Sequence, residues 1–334
     1  MSSKKNIKFT VLIVALSLIA VAAVFFTLLK QSGDNYENSF FYSMDTYIET
    51  GGSMDARRVV RNIFDEYESV FDFHNSDSEL SQLNSRKNMT VSPRLSEAVR
   101  QAVSLSDKYG GDADITVGEL TRLWDIEGND PKIPSDAEIK KALATVGSKN
   151  VVINGNKVTL LGGASIDMGC CAKGAALDSI KTELENRSEG RTIVSAGGSS
   201  ILLYGDDSFT TGIQSPDNEG IIGKFKTGSG FVSTSGGYHR FAEIDGKKYV
   251  HILDTKTGKP SETDLTSVTV FCDSGIESDL MSTLIFAGGT KKIQDYLNMS
   301  DMQVIAIDEN NKVYKSDGVE LELTDGNYTY AESN

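Results

Sequence analysis

Apolar side chains recur at helical spacing in several stretches of this chain. Between Asp55 and Phe71 they fall at Val59, Val60, Ile63, Phe64, Tyr67, Val70 and Phe71, with charges between, which predicts an amphipathic helix. A second is predicted from Leu95 to Tyr109, stopped by Gly110-Gly111. Ser135-Asp136-Ala137-Glu138 is a capping box, in which serine and glutamate side chains satisfy each other's backbone N–H groups; it opens a helix toward Val146. Further helices are expected from Ala172 to Asn186 and from Ser278 to Phe286. Short apolar runs split by turn residues predict strands. Val151–Ile153 and Lys157–Leu161 flank Asn154-Gly155-Asn156, and Phe241–Ile244 and Lys248–Leu253 flank Asp245-Gly246, both as hairpins. Thr192–Ser195, Ser200–Tyr204 and Val268–Cys272 read as strands, and Met302–Ile307 pairs with Val313-Tyr314 around Glu309-Asn310-Asn311. Helices and hairpins are interspersed without a regular βαβ beat, and there is no internal repeat. The expected class is α+β.

The N-terminus breaks this pattern. Lys4, Lys5 and Lys8 precede an uncharged run from Phe9 to Leu29, closed by Lys30. As a helix that run spans roughly 31 Å, about one bilayer hydrocarbon core. Lysines before it place residues 1–8 in the cytoplasm and the rest of the chain outside. Ala20-Val21-Ala22 has the small-x-small form of a signal-peptidase site, so a cleaved signal peptide is the competing reading. Cleavage there would leave Ala23 to Leu29 as an apolar stub, which favours an uncleaved single-pass anchor. No cysteine precedes Cys170, so a lipoprotein anchor is excluded. Residues 30–40 read as a polar linker, and 41–330 as one extracytoplasmic catalytic domain.

Composition narrows the function classes. The chain has 334 residues, 39% hydrophobic and 24% charged, enough for one large domain with a real core. Net charge is −14 and no basic stripe is visible, which argues against nucleic acid as a partner. Three cysteines make no disulfide framework, and without a C-x-x-C pair a zinc site is unsupported.

Candidate chemistry sits in islands of carboxylate, glycine and hydroxyl. They are Met44-Asp45-Thr46, Gly111 to Gly118, Ile166 to Gly174, Ser195 to Gly198, Ser233 to Gly237, His251-Ile252-Leu253-Asp254 and Glu277 to Thr283. Glycine lets backbone approach a ligand, and carboxylates and hydroxyls suit a hard cation. Together they suggest a phosphate-bearing ligand held with a metal. Asp279 and Thr283, four apart on a predicted helix, share one face and can hold one oxygen-loving cation. On spacing alone the pair also reads as a helix cap or a solvated face. The segment from Asp167 to Gly174 meets a helix start, where free N–H groups and the dipole attract phosphate, and Lys173 adds positive charge. His251 is one of three histidines, with His74 and His239, and can act as a base near neutral pH.

The order of these islands, from Tyr42 to Gly289, resembles the ApbE family, the FAD:protein FMN transferases. The resemblance implies a single catalytic domain related to the tunnelling folds. It implies that Asp279 and Thr283, with Ser282 as a weaker third and the backbone carbonyl of Cys170, bind magnesium. Asp167-Met168-Gly169-Cys170-Cys171-Ala172-Lys173-Gly174 is similar to the family's Asp-Leu-Gly-Gly-Ile-Ala-Lys-Gly, with two departures at Cys170 and Cys171. Asp112-Ala113-Asp114 stands where the family has Ala-Phe-Asp in contact with FAD, and Met44-Asp45-Thr46 where it has Met-Gly-Thr. His74 occupies the place of a tyrosine that packs on the flavin, and imidazole can stack there too. His251 corresponds to the family's histidine before Ile-Leu-Asp, so His251 and Ile252 are expected to line the site.

The reaction implied is transfer of FMN from FAD onto a Thr or Ser hydroxyl of an exported or membrane flavoprotein, with release of AMP. Two alternatives share the ligand: an FAD pyrophosphatase with water as acceptor, and a flavin-binding protein without activity. Lys256-Thr257-Gly258 mimics a penicillin-binding-protein motif, but the S-x-x-K it requires occurs only at Ser2 to Lys5, in the cytoplasmic tail.

Overall fold

The computed structural model describes residues 36–331 apart from 207, 217–219, 238 and 239. The expected anchor at Phe9–Leu29, the tail before it and His239 lie outside the described residues. No helix among the described residues is long and apolar enough to cross a membrane.

The chain enters as a hairpin of β1 (Glu37–Ser43) and β2 (Thr46–Gly52). Helix α1 (Met54–Phe71) follows, capped by the Ser53 hydroxyl, and its buried positions include Val59, Val60, Ile63, Phe64, Tyr67 and Phe71, as the periodicity requires. Next come α2 (Glu79–Arg86), β3 (Asn88–Thr90), α3 (Pro93–Lys108) and α4 (Gly118–Trp124). Helix α5 (Asp136–Leu143) opens at Ser135 with both halves of the capping box formed. Strands β4 (Val151–Asn154) and β5 (Lys157–Leu160) make the expected hairpin, and α6 (Ala172–Asn186) has the boundaries read from sequence. Then come β6 (Thr192–Ala196), β7 (Ser200–Tyr204), β8 (Phe209–Gln214), β9 (Ile221–Thr227) and β10 (Gly230–Gly236). A short hairpin of β11 (Phe241–Ile244) and β12 (Lys247–Val250) precedes β13 (Leu265–Cys272), α7 (Gly275–Gly288) and α8 (Thr290–Leu297). The last elements are β14 (Met302–Asp308), β15 (Lys312–Lys315), β16 (Leu321–Leu323) and β17 (Thr329–Tyr330).

A nine-stranded sheet, ordered β1-β2-β6-β7-β10-β13-β14-β15-β17, organises this mixed α and β fold. Its pairings are antiparallel except that of β15 with β17. Both faces are covered. Val194, Leu202, Phe231, Val268, Val270, Val304 and Ala306 face the helices and share one core with α1, α3, α6 and α7. Their neighbours Ile193, Ile201, Leu203, Val232, Ile305 and Ile307 face a small sheet of β16, β9 and β8. A strand buried on both faces reads as a continuous apolar run, which is why β7 and β14 carry no polar alternation.

Helix α7 lies deepest. Ile276, Leu280, Met281, Leu284, Ile285 and Phe286 are all buried, and so are its polar residues Ser278, Asp279 and Ser282. A helix buried all round must find partners for every polar side chain. Its first turn crosses the first turn of α6 with no side chain between. A Cβ added at Gly174 would sit 2.0 Å from the Gly275 carbonyl oxygen, and one at Gly275 would sit 2.4 Å from the Gly174 oxygen. Gly174→Ala is therefore expected to destabilise the fold by on the order of 3 kcal/mol, because backbone rather than a flexible side chain blocks the methyl group. Gly190→Ala, where a Cβ meets nothing within 4 Å, is the near-neutral control. Denaturant unfolding of both variants checks this.

Candidate active site

The crossing of α6 and α7 solves a problem each helix has at its N-terminus, where the first N–H groups lack intrahelical partners. Cys171, at the cap position of α6, offers no side-chain cap. Asp279 of α7 supplies it instead: the Gly174 N–H donates to Asp279 Oδ2 at 2.7 Å. In return, Asp178 of α6 accepts from the Gly275 N–H at 2.7 Å and the Ile276 N–H at 2.8 Å. The two helices cap each other. Asp279 Oδ1 also accepts from Ser200 Oγ on β7 at 2.7 Å. Burial pushes the Asp178 carboxyl up to about 6; the two N–H bonds oppose this, and Asp279 nearby adds to it.

Hydroxyls line the rest of the polar face of α7. Ser278 pairs with Ser233 of β10 at 2.7 Å. Ser282 pairs with Ser235 at 2.8 Å, and Thr283 Oγ1 lies 3.2 Å from the same Ser235. Ser282 and Thr283 also donate to the Asp279 carbonyl, at 2.9 and 3.2 Å. Asp279, Ser282 and Thr283 are thus brought together on one helical turn. Cys170 and Lys173 stand at the start of α6, beside the residue that Asp279 caps. The Cys171 thiol is pushed well above its usual range, first by its contact with Cys170 and then by burial, so it is a neutral thiol rather than a thiolate ligand.

This donor set fits a magnesium ion. Among the described residues no group of three His, Cys, Asp or Glu side chains could hold a metal. Magnesium does not require one: it takes one or two carboxylates and completes its shell with water and substrate phosphate. One carboxylate and two hydroxyls, all oxygen, are present at Asp279, Ser282 and Thr283.

Asp167 belongs to the same region. Its carboxylate accepts from the Gly169 N–H at 2.8 Å and from Thr121 Oγ1 of α4 at 2.7 Å. The backbone before it runs beside the Asp112–Gly118 island: the Asp167 N–H donates to the Ile115 carbonyl, and the Gly118 N–H to the Ser165 carbonyl. Within that island Asp114 is buried and accepts from the N–H and hydroxyl of Thr116 at 2.8 and 2.7 Å, so it braces its own loop. Ala113 is buried. Asp112 pairs with Lys256 at 2.5 Å and with Lys292. Burial works against its charge, but the two lysines outweigh that and hold its carboxyl below the usual range.

His251 follows β12. Its Nδ1 lies 3.1 Å from the Arg240 carbonyl oxygen. A carbonyl only accepts, so Nδ1 carries the hydrogen and Nε2 is the bare, proton-accepting nitrogen. Burial pushes its pKa below the ordinary imidazole value, and the charges of Arg240 and Lys173 push the same way, against the pull of Glu127 and of the hydrogen bond to the Arg240 carbonyl. His251 is therefore neutral at pH 7. Ile252 beside it is buried in the core and its carbonyl accepts from the Ser261 N–H, so of its polar groups only the backbone N–H is left for a ligand.

Met44 and Asp45 form the two-residue turn between β1 and β2, both at positive φ, +50° and +55°. The Met44 N–H donates to Glu68 Oε1 at 3.3 Å. Arg240 Nη2 donates to the Asp45 carbonyl at 3.2 Å, which joins this turn to the segment that orients His251. His74 is exposed on the loop after α1, edge-on to Phe73 at 5.3 Å. Arg122 lies over Phe73 and donates to Ser165, so this loop borders the Asp167 region.

Residues 39–307 match the ApbE family. The chain belongs to the ApbE family. Among its relatives, the protein named FAD:protein FMN transferase in Klebsiella pneumoniae is 28% identical over 245 residues, 71% of this chain and 76% of that one. Its namesake in Escherichia coli K12 is 27% identical over 284 residues, 80% and 81% of the two chains. The crystal structure of the ApbE protein from Thermotoga maritima superposes with a TM-score of 0.78 at 26% identity, covering 85% of this chain and 97% of that one. The flavin transferase ApbE from Vibrio cholerae has a TM-score of 0.72 at 24% identity, a likeness of fold.

Four residues of this ApbE chain that stand in the site's framework escape the sequence reading. Asp178, Ser200 and Glu127 sit in no island, and their partners lie 97, 79 and 113 residues away. Arg240 lies three residues past the Ser233 to Gly237 island, and nothing in its spacing reveals that its carbonyl meets His251. The Asp178 carboxyl gives a pH prediction. Folded, it holds its proton to about pH 6; unfolded, only to about pH 4. Through that window the folded state binds more protons, so this group lowers stability as pH rises. Asp178→Asn removes the charge, and its melting temperature relative to wild type is expected to be higher at about pH 7.5 than at about pH 4.5.

Proposed function

We propose that this protein is an FAD:protein FMN transferase: a magnesium-dependent enzyme that moves FMN from FAD onto a Thr or Ser hydroxyl of a target flavoprotein and releases AMP. One observation carries the proposal. The first turn of α6 gives its Gly174 N–H to Asp279, and the charge of Lys173 in the same turn acts on His251. An anion site, an oxygen-ligand set and a neutral imidazole then adjoin, which is what phosphoryl transfer to a hydroxyl requires. The relatives bearing that activity in their names support it.

In this proposal the α6 N-terminus and Lys173 receive the pyrophosphate of FAD. The flavin end lies toward Met44, His74, the Asp112–Asp114 loop, Asp167 and the Ile252 backbone. His251 Nε2 takes the proton of the acceptor hydroxyl. The oxygen so freed attacks the phosphorus on the riboflavin side, and the phosphoanhydride bond to AMP breaks. Asp279, Thr283, Ser282 and the Cys170 carbonyl would hold magnesium, which when bound neutralises charge on the phosphates. The 21-residue apolar run at Phe9–Leu29, preceded by lysines, supports a single-pass anchor with residues 41–330 as an extracytoplasmic catalytic domain. The acceptor is then an exported or membrane redox flavoprotein.

Incubation of the full chain with FAD, magnesium and an exported flavoprotein, read by intact mass, tests the proposal. The expected result is an acceptor heavier by one FMN less one water, with AMP released. AMP and FMN without that gain would make the protein a pyrophosphatase, and no turnover would leave a flavin binder.

His251→Ala is expected to bind FAD while losing about 10²–10⁴ in rate, the usual contribution of a placed base. Equilibrium binding and single-turnover kinetics on the variant separate the two. At Asp279 the structure refines the choice of substitution. Alanine would remove the α6 cap and the Ser200 partner together, so lost activity would be mixed with lost stability. Asp279→Asn keeps an acceptor for Gly174 and removes the charge. It is expected to melt close to wild type, lose activity by at least about 10² and require far more magnesium, because neutral ligands alone bind magnesium poorly. Thr283→Ala is expected to be milder, since water replaces a neutral hydroxyl. Activity titrated against magnesium for both variants checks the order.

A further inference from the structure

We infer that Arg240 is a positioning residue, whose side chain is clamped so that its carbonyl holds His251 in the tautomer that presents a bare Nε2; the inference rests on His251 being the base of the proposed transfer. Arg240 touches His251 only through its backbone. Its carbonyl accepts from Nδ1 at 3.1 Å and from the His251 N–H at 3.4 Å. Its guanidinium is anchored twice: Nη1 to Glu127 Oε1 at 2.5 Å, and Nη2 to the Asp45 carbonyl at 3.2 Å. The first anchor lies three residues past α4, and the second is the turn between β1 and β2. Two separate parts of the fold therefore anchor the residue whose carbonyl meets His251. An imidazole without a partner at Nδ1 exchanges between tautomers, and only one of them accepts a proton at Nε2.

The clamp also sets the charge around the imidazole. The charged groups acting on His251 are Glu127, Arg240 itself and Lys173 in the first turn of α6. Glu127 and the bond to the Arg240 carbonyl favour the imidazolium; the charges of Arg240 and Lys173 oppose it. Glu127 and the Arg240 guanidinium are paired, so loss of either leaves the other's charge acting on the imidazole.

The test uses the full-length protein with Arg240→Met, Arg240→Lys and Glu127→Gln. Long-range proton–nitrogen NMR of the imidazoles reads the tautomer without turnover, and three histidines make assignment tractable. In wild type His251 is expected as the Nδ1–H form. Arg240→Met is expected to give a mixture of tautomers and to lower kcat on the order of tenfold to a hundredfold, with KM for FAD changed far less. Arg240→Lys keeps one anchor and restores part of both. The acidic limb of the kcat profile should move down in pH for Glu127→Gln, which loses a charge that favours the imidazolium and loosens the carbonyl that favours it too. A merely structural role would leave the tautomer and the limb where they are. An unchanged tautomer in Arg240→Met, or a limb that stays put or moves up in Glu127→Gln, overturns the inference. Tautomer loss in a protein without transferase activity would instead overturn the functional proposal and leave the clamp standing.

Discussion

Two helices that cap each other hold this molecule's site together. Asp279 satisfies the N-terminus of α6 and Asp178 satisfies that of α7, each across the same backbone contact at Gly174 and Gly275. Neither cap can form unless the helices approach to backbone distance, and neither helix can approach so closely with a side chain at either glycine. Geometry and charge are coupled as a result. A carboxylate buried only to cap a helix costs free energy, visible at Asp178, whose acidity is weakened by burial. That cost is offset by charge-assisted bonds to N–H groups that would otherwise be buried without partners.

The same constraint explains why a helix as apolar as α7 carries Ser278, Asp279, Ser282 and Thr283. Each has a fixed partner on β7, β10 or α6. These partners hold the polar stripe in one rotameric arrangement before any ligand arrives. Preorganised oxygen donors lose little freedom on binding a cation or phosphate. The stripe is thus both the glue between α7 and the sheet and the surface offered to the proposed magnesium and pyrophosphate.

Much of this was legible in the chain, and the gaps have physical causes. Helical periodicity located α1 and α3 because each buries one apolar face, and α6 was read from its start beside the Asp167 to Gly174 island. Spacing put Asp279 and Thr283 on one helical face, and the family resemblance, not the spacing, singled them out as candidate metal ligands. What spacing cannot reveal is that Asp279 also caps α6, because Gly174 and Ser200 lie 105 and 79 residues away. Gly174 stood out as a residue that lets backbone meet a ligand; the structure uses it to let backbone meet backbone. Ser233 and Ser235 stood out as ligand hydroxyls, yet they pair with Ser278 and Ser282. The hairpin of β1 and β2 carries no turn signal, since its two positive-φ positions hold Met44 and Asp45 rather than glycine or asparagine. Strained backbone of that kind persists where the surroundings determine it, and here Glu68 and Arg240 do so.

The central claim is that a metal and a pyrophosphate meet at the crossing of α6 and α7. A crystal soaked with FAD and manganese, examined in an anomalous difference map, tests it most directly. The account predicts a single strong peak within coordination distance of the Asp279 carboxylate and the Thr283 hydroxyl, with phosphate density against the first turn of α6. A manganese peak elsewhere, or FAD phosphates bound away from Lys173, would contradict it.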